Sequence, residues 1–296
     1  MQADDSLQPF MLGRAGVRGA VVRLGPAWRE VASRQDYPPP LRVMLGEALA
    51  ASALLTAHVK LHGALSLEFK SSGALRLLFT ECTDSGRLRG LAHLHESAVL
   101  APDAPLDLAA QPEALLAITL GSSAHGQRYQ GLVDVQRATL AGTLQDYFEQ
   151  SEQLPTRIVL AADDDVATGL LLQQLPGGDV GDGDAWPRVG HLTDTLGASE
   201  LLTLPVPQLL HRLYHEERPR LFAAHVLGFG CSCSRARVEA MLSTLGRVEV
   251  EAALAARDGE IEVICEFCAA RYTLDAVDAE RVLAVSPSAP VSSTPH

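Results

Sequence analysis

The chain has 296 residues, 47% of them hydrophobic and 20% charged, which is typical of a soluble globular protein of about two domains. Its formal net charge of −12 disfavours nucleic-acid phosphates and anionic membranes as partners, because like charges repel. No basic-then-apolar leader opens the sequence, so we expect a cytoplasmic protein whose cysteines are kept reduced.

Alternating apolar and polar residues predict four β-strands in the first hundred residues. The strands are predicted at residues 17–24, 64–71, 74–82 and 87–95. The links Ser72-Gly73 and Asp84-Ser85-Gly86 favour hairpins between the last three strands. The pattern therefore predicts an antiparallel meander.

A helix of about 20 residues is predicted from Leu41, because the segment is rich in the strong helix formers Ala and Leu. The triplet Pro38-Pro39-Pro40 is expected to end the segment before it. Arg42, Glu47 and His58 make the helix amphipathic and too polar for a membrane span. His58 and His62 are expected near its C-terminal end, where the helix dipole would stabilise an imidazolium.

Further along, strands are predicted at 114–120, at 128–135 and after Pro155, with a helix at 138–151 and a buried run at 166–175. Locally paired strands with helices grouped between them favour an α+β fold with an N-terminal antiparallel sheet. The Gly/Asp-rich stretch from Pro176 to Pro187 predicts a domain boundary.

We predict four regions from these patterns. A helical linker is expected after the boundary, broken by Pro205, Pro207 and Pro219, and the Pro/Ser-rich end is expected to be disordered. The regions are an N-terminal α+β domain (1–178), the linker (179–228), a small metal-binding module (229–285) and the tail (286–296).

Four of the five cysteines form the pattern C-x-C, 31 residues, C-x-x-C: Cys231, Cys233, Cys265 and Cys268. Zinc prefers four thiolates in a tetrahedral array, and each closely spaced pair supplies two ligands from one short turn. Ser234 can cap a helix that ends at Gly246, a second helix is expected near 248–257, and residues around the C-x-x-C pair indicate strand, turn, strand. The sequence predicts one zinc ion bound by these four cysteines.

Several roles for this site remain open at this point. The metal can be purely structural, or oxidation of the thiolates can release it and unfold the small module. Buried structural thiols fit the polar residues between the cysteines less well. A catalytic dithiol is disfavoured because C-E-F-C lacks the strand-to-helix context that lowers the pKa of such a thiol. A zinc-ribbon nucleic-acid-binding or regulatory protein is the alternative, although residues 231–281 carry six Arg against ten Asp/Glu, a net charge of 6 − 10 = −4.

Two segments around the cysteines, FGCSCSRARVEAML and VICEFCAARYTLDAVD, closely resemble the zinc module of the redox-regulated heat-shock chaperone family, the bacterial thirty-three-kilodalton chaperonins. Further segments of the chain resemble the family in the same order along the sequence, and cysteine occupies all four positions of the family's cysteine motif. The N-terminal segments that carry it are YPPPLRVMLGEALAASALL, LRLLFTECTDSGRLRGLA, YFEQSEQLPTRIVLAADD and GLLLQQLP.

The resemblance implies an ATP-independent holdase that is inactive while reduced and zinc-bound. It implies that oxidation forms the disulfides Cys231–Cys233 and Cys265–Cys268, releases zinc, unfolds the linker and converts a monomer to a dimer that binds unfolding client proteins. The sequence holds no G-x-x-x-x-G-K-[S/T] nucleotide loop, which agrees with ATP independence.

Other reactive residues are expected to be structural, and no enzyme is predicted. His211 and His215 are spaced i,i+4, but Arg212 stands where a zinc protease would need glutamate. His93 and His95 share a predicted strand face. Cys82 is expected to be a half-buried strand residue, with a redox role as a minor alternative.

Overall fold

A computed structural model describes residues 5–59, 63–122, 128–176 and 182–285. The chain divides into two compact units, Met1–Gly230 and Cys231–His296. The predicted disordered tail, residues 286–296, lies outside the described residues, as do His62 and part of the Gly/Asp-rich break. The division into four functional regions stays a prediction.

The first unit contains two sheets of mainly antiparallel strands. The first sheet has the order β10-β1-β2-β9-β8, with β11 also pairing with β1. Its strands are β1 (Ser6–Leu12), β2 (Val17–Leu24), β8 (Thr156–Ala162), β9 (Ala167–Gln174), β10 (Pro219–Leu221) and β11 (His225–Val226).

The second sheet has the order β12-β5-β4-β3-β6-β7. The predicted meander is confirmed, because β3, β4 and β5 pair antiparallel in sequence. The strands are β3 (Gly63–Lys70), β4 (Leu75–Thr83), β5 (Arg87–Leu94), β6 (Leu115–Ser122), β7 (Arg128–Asp134) and β12 (Gly228–Phe229).

Helix α2 (Pro39–His58) lies between the two sheets and packs against strands of both. It begins two residues before the predicted start, because prolines are compatible with the first turn of a helix, where backbone N–H groups have no intrahelical acceptor. It is also not amphipathic: apolar residues are buried on every side. It is the one described helix long and apolar enough to cross a membrane, yet 72% of its apolar window is buried inside the protein, as in a core helix.

The sequence predictions lack several elements of the first unit: β1, one short helix and the short strands β10, β11 and β12. Strand β1 contains Pro9, which weakens a strand pattern, and α1 (Pro26–Ala32) has only seven residues. The predicted helix at 138–151 is observed as α3 (Leu140–Tyr147) followed by a π-helical turn, Phe148–Glu152.

Three short helices occupy much of the predicted linker: α4 (Ala185–Asp194), α5 (Ala198–Thr203) and α6 (Val206–Tyr214). Pro205 precedes α6 and Pro207 lies in its first turn, so these prolines start the helix rather than break it. The apolar side chains of the three helices pack with residues of β1, β2 and β9 in one buried cluster. The linker residues of that cluster are Ala185, Val189, Leu196, Leu201, Leu209, Leu210, Leu213 and Tyr214.

The described residues of the second unit form three helices around one hairpin of β13 (Glu260–Ile264) and β14 (Arg271–Asp275). The helices are α7 (Arg235–Leu245), α8 (Arg247–Ala255) and α9 (Ala276–Val285), of which α9 was not predicted. Seven buried apolar side chains form its core: Val238, Leu242, Val250, Ile261, Leu274, Ala279 and Val282.

Candidate metal centre

The four cysteines of the C-x-C and C-x-x-C motifs lie in two short turns of the second unit. Cys231 and Cys233 immediately precede α7, whose N-cap is Ser234; the Ser234 hydroxyl accepts a hydrogen bond from the Arg237 N–H at 3.3 Å. Cys265 and Cys268 lie in the turn between β13 and β14. The strand, turn, strand prediction is therefore confirmed.

Backbone hydrogen bonds close the turn that carries the second cysteine pair. The Cys265 N–H donates to the Ala270 carbonyl at 2.9 Å, and the Ala269 N–H donates back to the Cys265 carbonyl at 2.8 Å. Ala269 adopts the left-handed region, with φ of 56°, which lets the chain reverse within this turn. The turn brings both sulfurs to the same side as the C-x-C loop.

All four sulfur atoms lie within 4.8 Å of one another. Two separations that join the motifs are 3.6 Å from Cys231 Sγ to Cys265 Sγ and 3.3 Å from Cys233 Sγ to Cys268 Sγ. Tetrahedral zinc with Zn–S bonds of about 2.3 Å separates its sulfurs by about 3.8 Å, so this donor set fits such a cation. The four cysteines can hold a metal ion, and thiolate donors favour zinc.

The positions of the sulfurs do not test the predicted disulfide pairing, Cys231–Cys233 and Cys265–Cys268. Sulfur contacts of 3.6 Å and 3.3 Å run between the motifs, whereas the predicted disulfides lie within them. A cluster in which every sulfur is near every other does not select one pairing. The pairing therefore stays a prediction.

Hydrogen bonding and burial change the pKa values of three of these thiols in different directions. The Tyr272 hydroxyl donates to Cys233 Sγ at 3.1 Å and lowers the pKa of Cys233 to about 7. Burial raises the pKa of Cys268 to about 12 and also raises that of Cys231. A bound divalent cation would favour the thiolate form of all four.

Polar side chains on α7 support the first cysteine pair from outside. Arg237 Nη1 donates to the hydroxyl of Ser232, the residue between the two cysteines, at 2.6 Å. Arg235 Nη1 donates to the Thr273 carbonyl on β14 at 3.0 Å, and its guanidinium pairs with Asp278. Ser232 of the C-x-C loop is thereby attached to α7, and α7 is attached to the hairpin.

Among the described residues, the four cysteines are the one group of three or more metal-ligating side chains that lie close together. The described histidines therefore form no such group. The rings of His211 and His215 stack with centroids 5.5 Å apart. The prediction that His58 carries a charge at the end of α2 is wrong. Burial lowers the pKa of His58 to about 4, and the neutral ring hydrogen-bonds the Leu54 carbonyl at 2.8 Å.

Cys82 lies on β4 and is more buried than predicted, with 1% of its surface exposed. Burial raises the pKa of its thiol to about 12. A buried thiol that stays protonated is a poor nucleophile and metal ligand. The structural interpretation of Cys82 is therefore the better one.

Sequence reasoning did not find Tyr272, Ser232 or Arg237 as parts of the site. Tyr272 occupies an ordinary strand position, opposite Val263 in the hairpin register. Its contact with Cys233 spans 39 positions of the chain and carries no spacing signal. Only the folded hairpin places its hydroxyl beside the sulfur.

Comparison with known proteins identifies the family. The family model described as Hsp33 protein matches residues 5–275. Proteins named 33 kDa chaperonin from Ectopseudomonas mendocina and Azotobacter vinelandii are 42% and 43% identical, over 99% of this chain and 100% and 99% of their own lengths. The corresponding protein of Nitrosococcus oceani is 40% identical over the full length of both chains.

A solved structure gives the same result for the fold. The crystal structure of the 33 kDa chaperonin (heat shock protein 33 homolog) from Thermotoga maritima matches with a TM-score of 0.82 at 21% identity, covering 95% of this chain and 98% of that one. An α+β fold with a four-cysteine cluster agrees with this match. The family model and the full-length relatives together show that the chain belongs to the Hsp33 family.

Proposed function

We propose that this protein is a redox-regulated, ATP-independent chaperone that binds unfolding proteins under oxidative stress in the cytoplasm. The observation that carries the proposal is the convergence of four cysteine sulfurs within 4.8 Å, in a small module of a chain belonging to a family whose relatives are named chaperonins. In the reduced state these cysteines bind one zinc ion, and the protein is an inactive monomer.

The size of the module explains why the metal matters. Its seven buried apolar side chains form a small core, and the cores of domains this small give only marginal stability, to which a metal or disulfides often add. Zinc binding by small modules is worth an apparent ~10–16 kcal/mol near neutral pH, and in such modules this binding energy is folding energy. A bound zinc would hold the four sulfurs as thiolates and keep both cysteine turns together.

Oxidation removes the ligands. Four thiolates lose four electrons and form two disulfides, Cys231–Cys233 and Cys265–Cys268. Two molecules of peroxide accept these electrons with four protons and become four molecules of water. Disulfide sulfurs are poor metal ligands, because the thiolate is the coordinating form of cysteine. The cysteines therefore release the cation, and the module loses the energy that folds it.

The linker helices are suited to respond to this loss. They have ten, six and nine residues, and isolated helices this short are marginal in water. Their stability depends on packing against the sheet, where Leu209, Leu210 and Leu213 are buried. Unfolding of the linker would expose these leucines and the sheet beneath them, which supplies apolar surface for client proteins and for a second copy of the chain.

The test is suppression of aggregation of a thermally unfolding client. We expect negligible protection by the reduced protein, strong protection after peroxide treatment, and no peroxide response in a Cys265→Ser/Cys268→Ser variant. The matched control is Cys82→Ala, which removes the buried thiol outside the cluster and should leave the response intact. Negligible protection in both states of the wild type would refute the proposal.

Metal content separates this function from its alternatives. One zinc released as four thiols disappear would support the switch, whereas zinc retained under activating oxidation would contradict it. A gel shift with steep salt dependence would favour the nucleic-acid alternative. Catalytic turnover of a model disulfide, abolished by Cys265→Ser, would favour a thiol oxidoreductase.

A further inference from the structure

We propose that Tyr272 is a positioning residue of the metal centre: its hydroxyl holds Cys233 Sγ in the metal-binding arrangement and makes that sulfur less reactive towards oxidants. This inference rests on the proposed function, and it adds a specific determinant of how readily the switch responds. It depends on a side chain outside the cysteine motifs.

The contact joins the two halves of the site. Tyr272 lies on β14, the strand that follows the Cys265–Cys268 turn, while Cys233 belongs to the other motif, before α7. The hydroxyl reaches Cys233 Sγ at 3.1 Å. The hydrogen bond therefore ties the C-x-C loop to the hairpin directly, in addition to any tie through the metal.

Cys233 is distinguished from the other three cysteines by the kind of donor it receives. Cys231 and Cys268 accept hydrogen bonds from backbone N–H groups, those of Cys233 and Ala270. Among the described residues, Tyr272 is the side chain outside the cluster that donates to one of these sulfurs. It is thus the outer contact that a substitution can remove without changing the backbone.

The chemistry follows from what a hydroxyl does to a thiolate. An O–H donor withdraws electron density from the sulfur lone pair that would attack peroxide, and it restricts the movement of the sulfur away from the cation. Partners of metal ligands in this position typically change metal affinity by about 10–100-fold when removed. After oxidation the neutral disulfide sulfur is a weaker acceptor, so forming the Cys231–Cys233 bond also weakens the attachment to the hairpin.

The tyrosine ring and its hydroxyl have separable roles. The ring is partly buried against the core of the second unit, next to residues such as Val263. Tyr272→Phe keeps this packing and removes the oxygen alone. Tyr272→Leu removes the aromatic ring as well, and so shows what loss of packing contributes.

The experiment measures zinc affinity of the reduced full-length protein by competition with a chromogenic chelator, and the rate of zinc release under peroxide. We expect Tyr272→Phe to bind zinc about 10-fold more weakly and to release it several-fold faster. Tyr147→Phe is the matched control, because it deletes a hydroxyl that donates to Glu152 at 2.7 Å in the other unit. It should match the wild type.

Cobalt substitution provides a readout that packing alone would not change. Loss of a donor to one thiolate should shift the sulfur-to-cobalt charge-transfer band of Tyr272→Phe while the tetrahedral d–d bands persist. Wild-type affinity, release rate and spectrum in Tyr272→Phe would overturn the inference, as would a loss confined to Tyr272→Leu. Zinc binding and peroxide-driven zinc release by the wild type test the proposed function. The ratio of the Tyr272→Phe value to the wild-type value tests the role of Tyr272 separately.

Discussion

The two units of this chain achieve stability by different means. In the first unit, two sheets enclose a long apolar helix, and buried side chains such as Trp28, Leu45 and Leu54 are fully removed from water. In the second unit, the core has seven buried apolar residues, and four cysteine sulfurs that can hold a metal ion add to its stability. The second unit depends on a metal that one oxidant can displace, whereas the core formed by the two sheets and α2 of the first unit can keep its fold when that metal is lost.

The largest expected effect is that of metal removal. Chelation, or the double substitution Cys265→Ser/Cys268→Ser, should unfold residues 231–285, because the apparent ~10–16 kcal/mol of zinc binding is lost. Amide hydrogen exchange should show loss of protection in α7–α9 with unchanged protection in α2. If the amides of α7–α9 stayed protected from exchange without the metal, the second unit would not depend on it, and the proposed difference in stability between the two units would be wrong.

The next effect concerns the linker. Glu217 is buried and pairs with Arg188 at 2.8 Å, so Arg188→Ala leaves a buried carboxylate without its cation. Because the Arg188 side chain is one-third exposed, we expect a loss of about 2–3 kcal/mol in the packing of α4 and α6, and activation at a lower oxidant concentration. Arg212→Ala is the control: it breaks a more exposed pair with Glu200 and should cost about 0–1 kcal/mol. Hydrogen exchange across residues 185–221 would compare them, and equal effects would contradict this account.

A smaller effect is expected at Glu47, on the core helix α2. Burial raises the pKa of its carboxyl to about 7. The folded protein thus keeps a proton that the unfolded chain has lost, so the free energy of unfolding falls as pH rises from 4.5 to about 7. Glu47→Gln should stabilise the first unit by roughly 1–3 kcal/mol near pH 8 and change little near pH 4.

Tryptophan fluorescence in urea measures this effect in the first unit alone, because both tryptophans, Trp28 and Trp186, lie there. Midpoints near pH 5 and pH 8 should diverge for the wild type and converge for Glu47→Gln. A variant with the same pH slope as the wild type would show that Glu47 is not the group responsible.

The smallest effects are those of the helix caps, which occur in both units. Ser234 caps α7 beside the metal centre, and Thr139 caps α3 in the first unit, where its hydroxyl accepts from the Gly142 N–H at 3.2 Å. Each alanine substitution should cost about 1 kcal/mol. We expect chelator competition to detect Ser234→Ala but not Thr139→Ala, and urea unfolding by fluorescence to detect the reverse.

Local chemistry was predicted well where a pattern is short and periodic. The hairpin links at Ser72-Gly73 and Asp84–Gly86, the Ser234 cap and the stop at Gly246, where φ is 91°, depend on residues adjacent in sequence. The strands of the meander follow from alternation that the two faces of a sheet impose. These features could be predicted because neighbouring residues determine them.

Features that depend on distant packing could not be predicted in this way. Helix α2 was expected to be amphipathic, and His58 charged, because the second sheet that covers the helix is not visible in its own sequence. Pro205 and Pro207 were expected to break a helix that they in fact begin. Proline alone does not show whether a segment ends or starts there.

By itself, the sequence determined the α+β class, the four-cysteine set and the resemblance to one family, because residue type and spacing carry these directly. The tertiary structure decided which groups surround those cysteines and how far each is buried. Contacts between residues far apart in the chain place the Tyr272 hydroxyl beside Cys233, bury the linker leucines and keep His58 neutral. Burial and hydrogen bonding, which set the reactivity of each group, are properties of the packed molecule.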